Sequence, residues 1–320
     1  MGIFRCAILD DFQNVAADFA NWSSISERVE VHTFSKHYDN EDELVNAIKD
    51  YEILVIMRER TAFGASVLSR LPRLKLLITT GMKNSSIDLT AASSQGVVVC
   101  GTESYPEPPT ELTWALLLGL ARNIVPEHNA IRANGPWQSS VGTDLYGKRL
   151  GLLGLGKIGS RVARIGQAFG MEVAAWSQNL TQERAEEAGV RLVSSKEELL
   201  ETSDFVSIHL VLSDRTKHLL GREEFKRMKK SSYLINTSRA AIVDQNALID
   251  TLKNDWIRGA ALDVFEKEPL SQEDVFRSLP NVLMTPHLGY VSERNYLAYY
   301  RQAIEDIQAF LLGEPIRKIN

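Results

Sequence analysis

The chain has 320 residues, a formal net charge of −5 at pH 7, 44% hydrophobic residues and 24% charged residues. This length exceeds that of a typical single domain and predicts two domains. The acidic balance, without a long run of Lys or Arg, argues against a nucleic-acid partner. No stretch of roughly 18 consecutive apolar residues predicts a membrane span.

The N-terminus and the cysteines favour a cytoplasmic protein. Charged residues come too soon after Met1 for a secretory signal, and the sixth residue is Cys6 rather than the Ser or Thr of a myristoylation site. Cys6 and Cys100 both stand in apolar, strand-like runs, which favours buried thiols over a disulfide or a metal site. The six histidines show no spacing typical of metal ligands.

Five short apolar runs precede residue 102, and charged amphipathic stretches such as Glu41–Asp50 separate most of them. The runs are FRCAILDD, VEVHTFS, EILVIM, LKLLITTG and GVVVCG. Strands that alternate with helices predict a parallel sheet. The segment SYPEPPTE that follows is rich in proline and acidic residues and predicts a linker. The next segment, Thr110–Ile124, is strongly apolar and predicts a buried helix.

A second alternating series begins near Lys148. Its predicted strands are RLGLLG, MEVAAWS, VRLVS, DFVSIHL, SSYLINTS, GAALDVF and NVLMTPH. Their spacing predicts a doubly wound α/β sheet. The residues after Tyr290 predict a helix that returns to pack on the N-terminal part of the chain.

Three glycines, Gly154, Gly156 and Gly159, lie between the strand RLGLLG and a helix with Val162 and Ile165 on one face. In this context the first glycine permits a tight turn, the second leaves room for a pyrophosphate, and the third allows close packing of helix on strand. The helix N-terminus offers unpaired N–H groups to the phosphates. The turn therefore predicts a dinucleotide site, and a tight turn that binds no ligand is the alternative.

The strand after this helix lacks the carboxylate that usually binds the adenosine ribose. Ser177 stands at the expected position and is followed by Gln178 and Asn179. These uncharged side chains do not repel a 2′-phosphate, so we expect NADP(H), with NAD(H) as the alternative because the nearest arginine is the more distant Arg184. The alternative is that Ser177 caps the following helix.

Polar residues also follow three later strands. Arg239 follows YLINTS, Asp263 and Glu268 follow GAAL, and His287 follows NVLMTP. Ligands of a doubly wound sheet bind at the carboxyl ends of its strands, so we expect these side chains near the cofactor. Each has a purely structural alternative as a turn, loop or strand-end residue.

The motifs GLGKIG, INTSRA…VD, ALDVFEKEP and TPHLG occur in an order and spacing that resemble the D-isomer-specific, NAD(P)-dependent 2-hydroxyacid dehydrogenase family. The resemblance covers nearly the whole chain. It implies a Rossmann-type doubly wound dinucleotide domain at residues 102–290 and a flavodoxin-like substrate domain at residues 1–101 and 291–320. The resemblance implies catalytic roles for Arg239, Glu268 and His287, and cofactor contacts at Gly154, Gly156, Lys157, Ile158, Gly159, Ser177, Gln178, Asn179, His209, Thr237, Ser238, Asp263 and Gly289.

The chemistry of a 2-hydroxyacid dehydrogenase accounts for these residue types. His287 suits the general acid or base that exchanges the hydroxyl proton, since an ordinary histidine titrates near pH ~6.5. Glu268 would orient the imidazole and favour its protonated form. Arg239 offers a planar, permanently charged fork to the substrate carboxylate and C2 oxygen.

The first half of the chain is expected to supply further substrate contacts. The loop TTGMKNSSID resembles the family's carboxylate-binding loop, which implies roles for Gly81, Met82 and Lys83. Arg58 follows the strand EILVIM at a similar position. Arg58 and Lys83 are equally well explained as solvated surface charges. Tyr290 or Trp137 would shape the substrate pocket unless they are core or interface residues.

Two departures from the family pattern, Ala240 and Val211, are small or apolar and compatible with it. Family formate dehydrogenases have glutamine where Glu268 stands, which disfavours that activity. The expected partners are a small 2-ketoacid or 2-hydroxyacid and a second copy of the chain, paired through Thr110–Ile124 and the segment NGPWQ. The alternatives are an NAD(H)-sensing corepressor-like protein with the same fold and a different dinucleotide enzyme such as an amino-acid dehydrogenase.

Overall fold

The computed structural model describes residues 2–320, which form two compact units. The chain up to Tyr105 together with Val291–Asn320 is called the terminal unit here, and Pro106–Tyr290 is called the central unit. The sequence-based boundary after residue 101 lies four residues before the division at Tyr105.

A five-stranded parallel sheet forms the middle of the terminal unit. Its strands are β1 (Phe4–Ile8), β2 (Val29–Thr33), β3 (Ile53–Ile56), β4 (Leu76–Thr79) and β5 (Val98–Gly101), and its helices before residue 102 are α1 (Ala16–Phe19), α2 (Glu41–Ile48), α3 (Ala65–Leu68) and α4 (Leu89–Ser94), with a 3₁₀ turn at Trp22–Ile25. The strand order β2-β1-β3-β4-β5 is the flavodoxin-like order. Strands β3 and β4 are buried throughout, as apolar runs covered on both faces must be.

A seven-stranded parallel sheet forms the middle of the central unit. Its strands are β6 (Arg149–Leu153), β7 (Glu172–Trp176), β8 (Arg191–Leu192), β9 (Phe205–Ile208), β10 (Tyr233–Asn236), β11 (Gly259–Leu262) and β12 (Val282–Met284), and its helices are α5 (Glu107–Ala121), α6 (Ile124–Arg132), α7 (Lys157–Ala168), α8 (Gln182–Glu187), α9 (Lys196–Thr202), α10 (Arg222–Arg227) and α11 (Gln245–Lys253), with 3₁₀ turns at Ala240–Ile242 and Val275–Ser278. The order β12-β11-β10-β9-β6-β7-β8 is the doubly wound pattern with one added strand.

Apolar side chains cover both faces of the central sheet. Phe205 and Ile235 belong to one buried cluster, whereas the adjacent residues Val206 and Leu234 belong to another. Alternate residues of a strand point to opposite faces, so β9 and β10 each contribute to both clusters. The predicted α/β class with a doubly wound sheet is confirmed.

The predicted bounds of the helix Thr110–Ile124 are wrong at both ends, because α5 runs from Glu107 to Ala121. The helix includes Pro108 and Pro109 in its first turn, because the N–H groups that proline lacks have no intrahelical partner there. The proline-rich segment is therefore partly helix rather than linker. The helix ends at Ala121, and Asn123 adopts a left-handed φ of 50° before α6 begins.

The last helix, α12 (Glu293–Leu311), belongs to the terminal unit. Its Tyr299 and Tyr300 are fully buried, and the ring of Tyr300 meets Trp22 edge to face at 6.3 Å. Arg28 also donates to the carbonyl of Leu311. The end of the chain thus completes the core of the unit that its beginning forms.

Both cysteines, Cys6 and Cys100, are buried and unpaired. Within residues 2–320, no helix is both long and apolar enough to cross a bilayer. The same residues contain no cluster of three or more His, Cys, Asp or Glu side chains arranged to hold a metal ion.

Candidate active site

The strand order of the central sheet reverses between β6 and β9, which lie side by side. In open parallel sheets this reversal leaves a crevice beyond the carboxyl ends of the strands, where ligands bind. The residues that sequence motifs singled out in this unit come directly after these ends. Gly154 follows β6, Ser177 follows β7, and His209 follows β9. Beyond them, Thr237, Ser238 and Arg239 follow β10, Asp263 follows β11, and His287 is the third residue after β12.

The three glycines of the turn after β6 differ in what surrounds them. Gly154 has φ +101°, and a Cβ there would lie 2.7 Å from the carbonyl oxygen of His209. A Cβ at Gly159 would lie 2.2 Å from the carbonyl oxygen of Gly154. A Cβ at Gly156 would meet nothing within 4 Å. The fold itself therefore requires the first and third glycines, whereas the middle one leaves space.

The turn fits the pyrophosphate of a dinucleotide. Gly156 is the N-cap of the twelve-residue helix α7 and provides no side-chain cap, so the first N–H groups of the helix stay available to an anion. The exposed Lys157 follows directly, and Ile158 packs partly against the core. Open space at a glycine, free N–H groups and a cation together suit a phosphate group.

The segment after β7 carries polar side chains but no carboxylate. Ser177 is half-buried, and Gln178 and Asn179 are exposed. Thr181, not Ser177, caps α8, with its hydroxyl accepting from the N–H of Arg184. The interpretation of Ser177 as a helix cap is therefore wrong.

Three residues at the ends of β9 and β10 are fixed by contacts within the unit. The ring of His209 lies 2.9 Å from the Ser207 hydroxyl, and burial lowers its pKa to about 4, so it is neutral at pH 7. The Thr237 hydroxyl lies 2.8 Å from that of Thr113 on α5. The Ser238 hydroxyl donates to the carbonyl of Leu210 at 2.6 Å.

His287 and Glu268 are brought together from two different loops. The Nδ1–H of His287 donates to Glu268 Oε2 at 2.6 Å, while Glu268 Oε1 accepts from the N–H of Phe265 at 2.8 Å. This carboxylate is therefore held by the backbone and fixes the tautomer of the ring. The side chains remain partly open to solvent, with 19% and 28% exposure. Nε2 is left as the nitrogen that can exchange a proton with a ligand.

The backbone of His287 is left-handed, with φ +53°. This conformation costs a non-glycine residue about 1–2 kcal/mol, so surrounding contacts must impose it. The ring of His287 also packs edge to face on the buried Tyr290, with centroids 5.3 Å apart. Tyr290 therefore supports the histidine.

Arg239 follows β10, the strand next to β11, and lies in extended backbone conformation. Its Nη1 donates to the carbonyl of Ser238 at 2.8 Å, and its own carbonyl accepts from Asn236. The loop around the guanidinium is thus tied to the end of its own strand.

Asp263 is fully buried and accepts three hydrogen bonds from the loop that carries His287. The donors are the hydroxyl of Thr285 and the N–H groups of Leu288 and Gly289, at 2.6, 2.7 and 2.9 Å. Burial raises the pKa of Asp263, and these donors and His287 oppose that effect. A Cβ at position 289 would lie 3.2 Å from Asp263 Oδ2. Glycine at this position therefore allows the loop to come close to the carboxylate.

In the terminal unit, Arg58 follows β3 and the loop Gly81–Lys83 follows β4, its neighbour. Arg58 has φ +49°, and its Nη1 lies 2.7 Å from the position of a Cβ at Gly81. Gly81 has φ +90°, and its N–H donates to the Thr102 hydroxyl. The structure therefore brings Arg58 and Gly81 together. The side chains of Met82 and Lys83 are exposed.

Several buried polar contacts were not predicted from the sequence. Thr285 lies within the motif TPHLG, where a hydroxyl residue two places before the histidine was the available signal. In the terminal unit, buried Asp10 pairs with His37 Nδ1 at 2.8 Å and accepts from the Thr61 hydroxyl. The hydrogen bond to Asp10 raises the pKa of His37. No motif identified this pair, because its members lie far apart in the chain.

Comparison with known proteins is consistent with this geometry. The family model "D-isomer specific 2-hydroxyacid dehydrogenase, NAD binding domain" matches residues 114–289. The chain is 40% identical over 257 residues to a glyoxylate reductase of Aeropyrum pernix, which covers 78% of this chain and 76% of that protein.

Two further similarities involve proteins named for phosphoglycerate. A D-3-phosphoglycerate dehydrogenase of Methanocaldococcus jannaschii is 37% identical over 276 residues, or 85% of this chain, but the chain spans only 52% of that protein's length. The crystal structure of a phosphoglycerate oxidoreductase from Vibrio cholerae superposes with a TM-score of 0.92 at 35% identity, covering 97% of this chain and all of that one.

Proposed function

Because the chain belongs to the D-isomer-specific 2-hydroxyacid dehydrogenase family and is an NAD(P)-dependent oxidoreductase, we propose that it interconverts a small 2-ketoacid and its D-2-hydroxyacid, with His287 as the proton donor and acceptor. The observation that carries the assignment of roles is the 2.6 Å hydrogen bond between His287 and Glu268 at the carboxyl ends of the central strands. It gives the imidazole one engaged and one available nitrogen.

A nicotinamide cofactor held by the turn from Gly154 to Gly159 would supply the hydride that C2 of the ketoacid requires. His287 then needs only to deliver one proton from Nε2 to the C2 oxygen, which becomes the hydroxyl. Glu268 stabilises the protonated ring before the transfer and fixes its orientation. In the reverse direction the neutral ring accepts the hydroxyl proton, so the same pair serves oxidation.

Arg239 is the residue we assign to the substrate carboxylate and C2 oxygen. Its guanidinium is always charged and donates in a planar fork that matches a carboxylate. We also assign carboxylate binding to Arg58, Gly81 and Met82 of the terminal unit. The close packing of the Arg58 guanidinium on Gly81 and the left-handed backbone at both residues support this assignment.

For the cofactor we propose a preference for NADP(H) over NAD(H). The carboxylate that would bind a ribose 2′-hydroxyl and repel a 2′-phosphate is absent. Ser177, Gln178 and Asn179 instead provide hydrogen-bonding groups, and two of them are exposed. We assign the turn from Gly154 to Gly159 to the pyrophosphate. The remaining cofactor contacts are assigned to residues near the ends of β9 to β12, namely His209, Thr237, Ser238, Asp263 and Gly289.

The direct test measures oxidation of NADPH and of NADH with glyoxylate, hydroxypyruvate, pyruvate and longer 2-ketoacids. We expect turnover with at least one of them and a higher kcat/KM for NADPH. Cofactor binding without turnover across the whole panel would contradict the proposed reaction and favour a nucleotide-sensing role. A higher kcat/KM for NADH would overturn only the cofactor preference.

Replacement of the proposed proton donor tests the mechanism. We expect His287→Ala to lower kcat about 10²–10⁴-fold, the usual contribution of a positioned acid–base group, with little change in the Kd of NADPH. The matched control is His32→Ala, a histidine on β2 of the terminal unit whose side chain is 38% exposed. Near-normal turnover of His287→Ala would show that another group delivers the proton.

We further propose a homodimer that forms through α6 and the loop after it. Six large apolar side chains in this stretch are exposed, namely Ile124, Val125, Ile131, Trp137, Val141 and Tyr146. Helix α5, which was expected from the sequence to contribute to the dimer, has more than half of its residues buried within its own unit. A cytoplasmic location is proposed from the two buried, unpaired thiols, and cell fractionation would test it.

A further inference from the structure

The loop from Thr285 to Gly289 presents His287. The N–H of Thr285 donates to the carbonyl of Leu262 on β11, and the remaining hydrogen bonds from the loop to the end of this strand go to the carboxylate of Asp263. Thr285 donates its hydroxyl to Asp263 Oδ1 two residues before the histidine. After the histidine, the N–H groups of Leu288 and Gly289 donate to Oδ1 and Oδ2. Asp263 therefore holds the loop on both sides of His287.

The conformation of the loop needs such an anchor. His287 has φ +53°, and its N–H donates to the carbonyl of Thr285, which closes a tight turn around Pro286. A free chain would leave this left-handed arrangement readily. A shift of the backbone at His287 would move Nδ1 away from Glu268 and change the direction of Nε2.

We propose that Asp263 is a positioning residue that fixes the backbone of His287, in addition to any contact it makes with the cofactor. This inference rests on the proposed role of His287 as proton donor. Asp263 acts through the loop, whereas Glu268 acts on the ring itself. The two acids come from the same segment after β11, so one segment sets both the backbone and the ring of the histidine.

A carboxylate is suited to this task because it only accepts hydrogen bonds. Three donors converge on its two oxygens, and the site is fully buried. An asparagine would turn an NH₂ group toward one of these donors and leave a buried donor without an acceptor. Asp263→Asn therefore preserves size while it releases at least one anchor.

The test compares Asp263→Asn with wild type by three measurements. In the ligand-free protein, we expect the proton NMR signal of His287 Nδ1–H, assigned by its loss in His287→Ala, to broaden or shift. We expect kcat for ketoacid reduction to fall about 30- to 100-fold, the size of effect that a displaced catalytic group produces. This loss of kcat is measured at saturating NADPH, where a weakened cofactor contact alone would leave kcat unchanged, and the KM of the ketoacid should stay within about threefold of wild type.

The matched control is Asp244→Asn. Asp244 also accepts a backbone N–H, that of Ala247, but it caps α11 and does not contact the His287 loop. In Asp244→Asn we expect the NMR signal of His287 Nδ1–H and the kcat to be the same as in wild type. If Asp263→Asn does not fold, the same measurements on Thr285→Val and Thr285→Ser test the proposal. Only serine keeps the hydroxyl that donates to Asp263, so we expect the valine variant alone to lose activity.

Several outcomes would overturn the proposal. One is an unchanged His287 signal and kcat in Asp263→Asn. Another is a raised Kd of NADPH with an unchanged kcat at saturation, which would make Asp263 a cofactor contact only. For the threonine pair, equal activity of the valine and serine variants would also overturn it. If wild type itself shows no turnover, the proposed function fails, and the NMR comparison still decides whether Asp263 positions the loop.

Discussion

Asp306 on α12 is a buried carboxylate that its surroundings compensate only in part. Its Oδ1 accepts from Arg317 Nε at 3.0 Å, whereas Oδ2 has no hydrogen-bond partner within residues 2–320. Burial raises the pKa of Asp306 to about 7, and the charge of Arg317 only reduces this effect. The folded terminal unit therefore holds a proton here over a pH range in which the unfolded chain has lost it.

The consequence is a pH-dependent stability. An unfolded aspartate titrates near pH ~3.9, so the contribution of Asp306 to stability is fully present below that pH and is lost as the pH rises through about 7. We expect Asp306→Asn to have a higher free energy of unfolding than wild type. This difference should grow by about 1–3 kcal/mol as the pH rises from 5 to 8. Urea unfolding at the two pH values measures this gain. The control Asp250→Asn removes a carboxylate that is 47% exposed, and an equal gain there would refute the assignment to Asp306.

The helix α7 and its glycine turn allow a prediction at the level of an element, since the three glycines serve different purposes. We expect Gly156→Ala to fold normally but to raise the Kd of NADPH at least about tenfold, because the new methyl group occupies space that the protein leaves open. Gly159→Ala should instead destabilise the central unit by about 2 kcal/mol or more, as overpacking against a backbone oxygen does.

Thermal unfolding and fluorescence titration with NADPH separate these two effects. Gly64→Ala is the matched control for Gly156→Ala, because both glycines are helix N-caps with nothing within 4 Å of a new Cβ. We expect the control to bind NADPH as wild type does. Unchanged affinity in Gly156→Ala would show that the open space is not part of the pyrophosphate site.

At the scale of the whole molecule, the exposed apolar stretch from Ile124 to Tyr146 bears on the oligomeric state. Helix α6 has no buried residue, and Trp137 after it is 79% exposed. An isolated chain with such a surface would tend to associate. A symmetric dimer would cover the same stretch on both copies.

Charged substitutions test this dimer. We expect wild type to have twice the mass of one chain by light scattering after size exclusion, and Ile131→Asp with Trp137→Asp to have the mass of one chain. The control is Leu312→Asp, whose side chain is 75% exposed on the terminal unit. A monomeric wild type, or a control that dissociates equally, would contradict the assigned interface.

The sequence by itself determined the α/β class and the positions of the strands, because the period of apolar residues depends on local geometry. It also determined the family, because the order and spacing of several motifs are specific to it. The catalytic roles of Arg239, Glu268 and His287 stay predictions. The glycine turn is also recognisable from the sequence. The positive φ of Gly154 and the close approach of backbone oxygens to Gly154 and Gly159 favour glycine at both positions.

Only the tertiary structure decided how these residues are held. The start of α5 at Glu107 depends on prolines occupying a first turn, which propensity alone assigns to a linker. The contacts of Asp263 with Thr285, and of Asp10 with His37, join residues 22 and 27 positions apart. Such contacts are set by the order and register of strands in the sheet, which local sequence patterns do not contain.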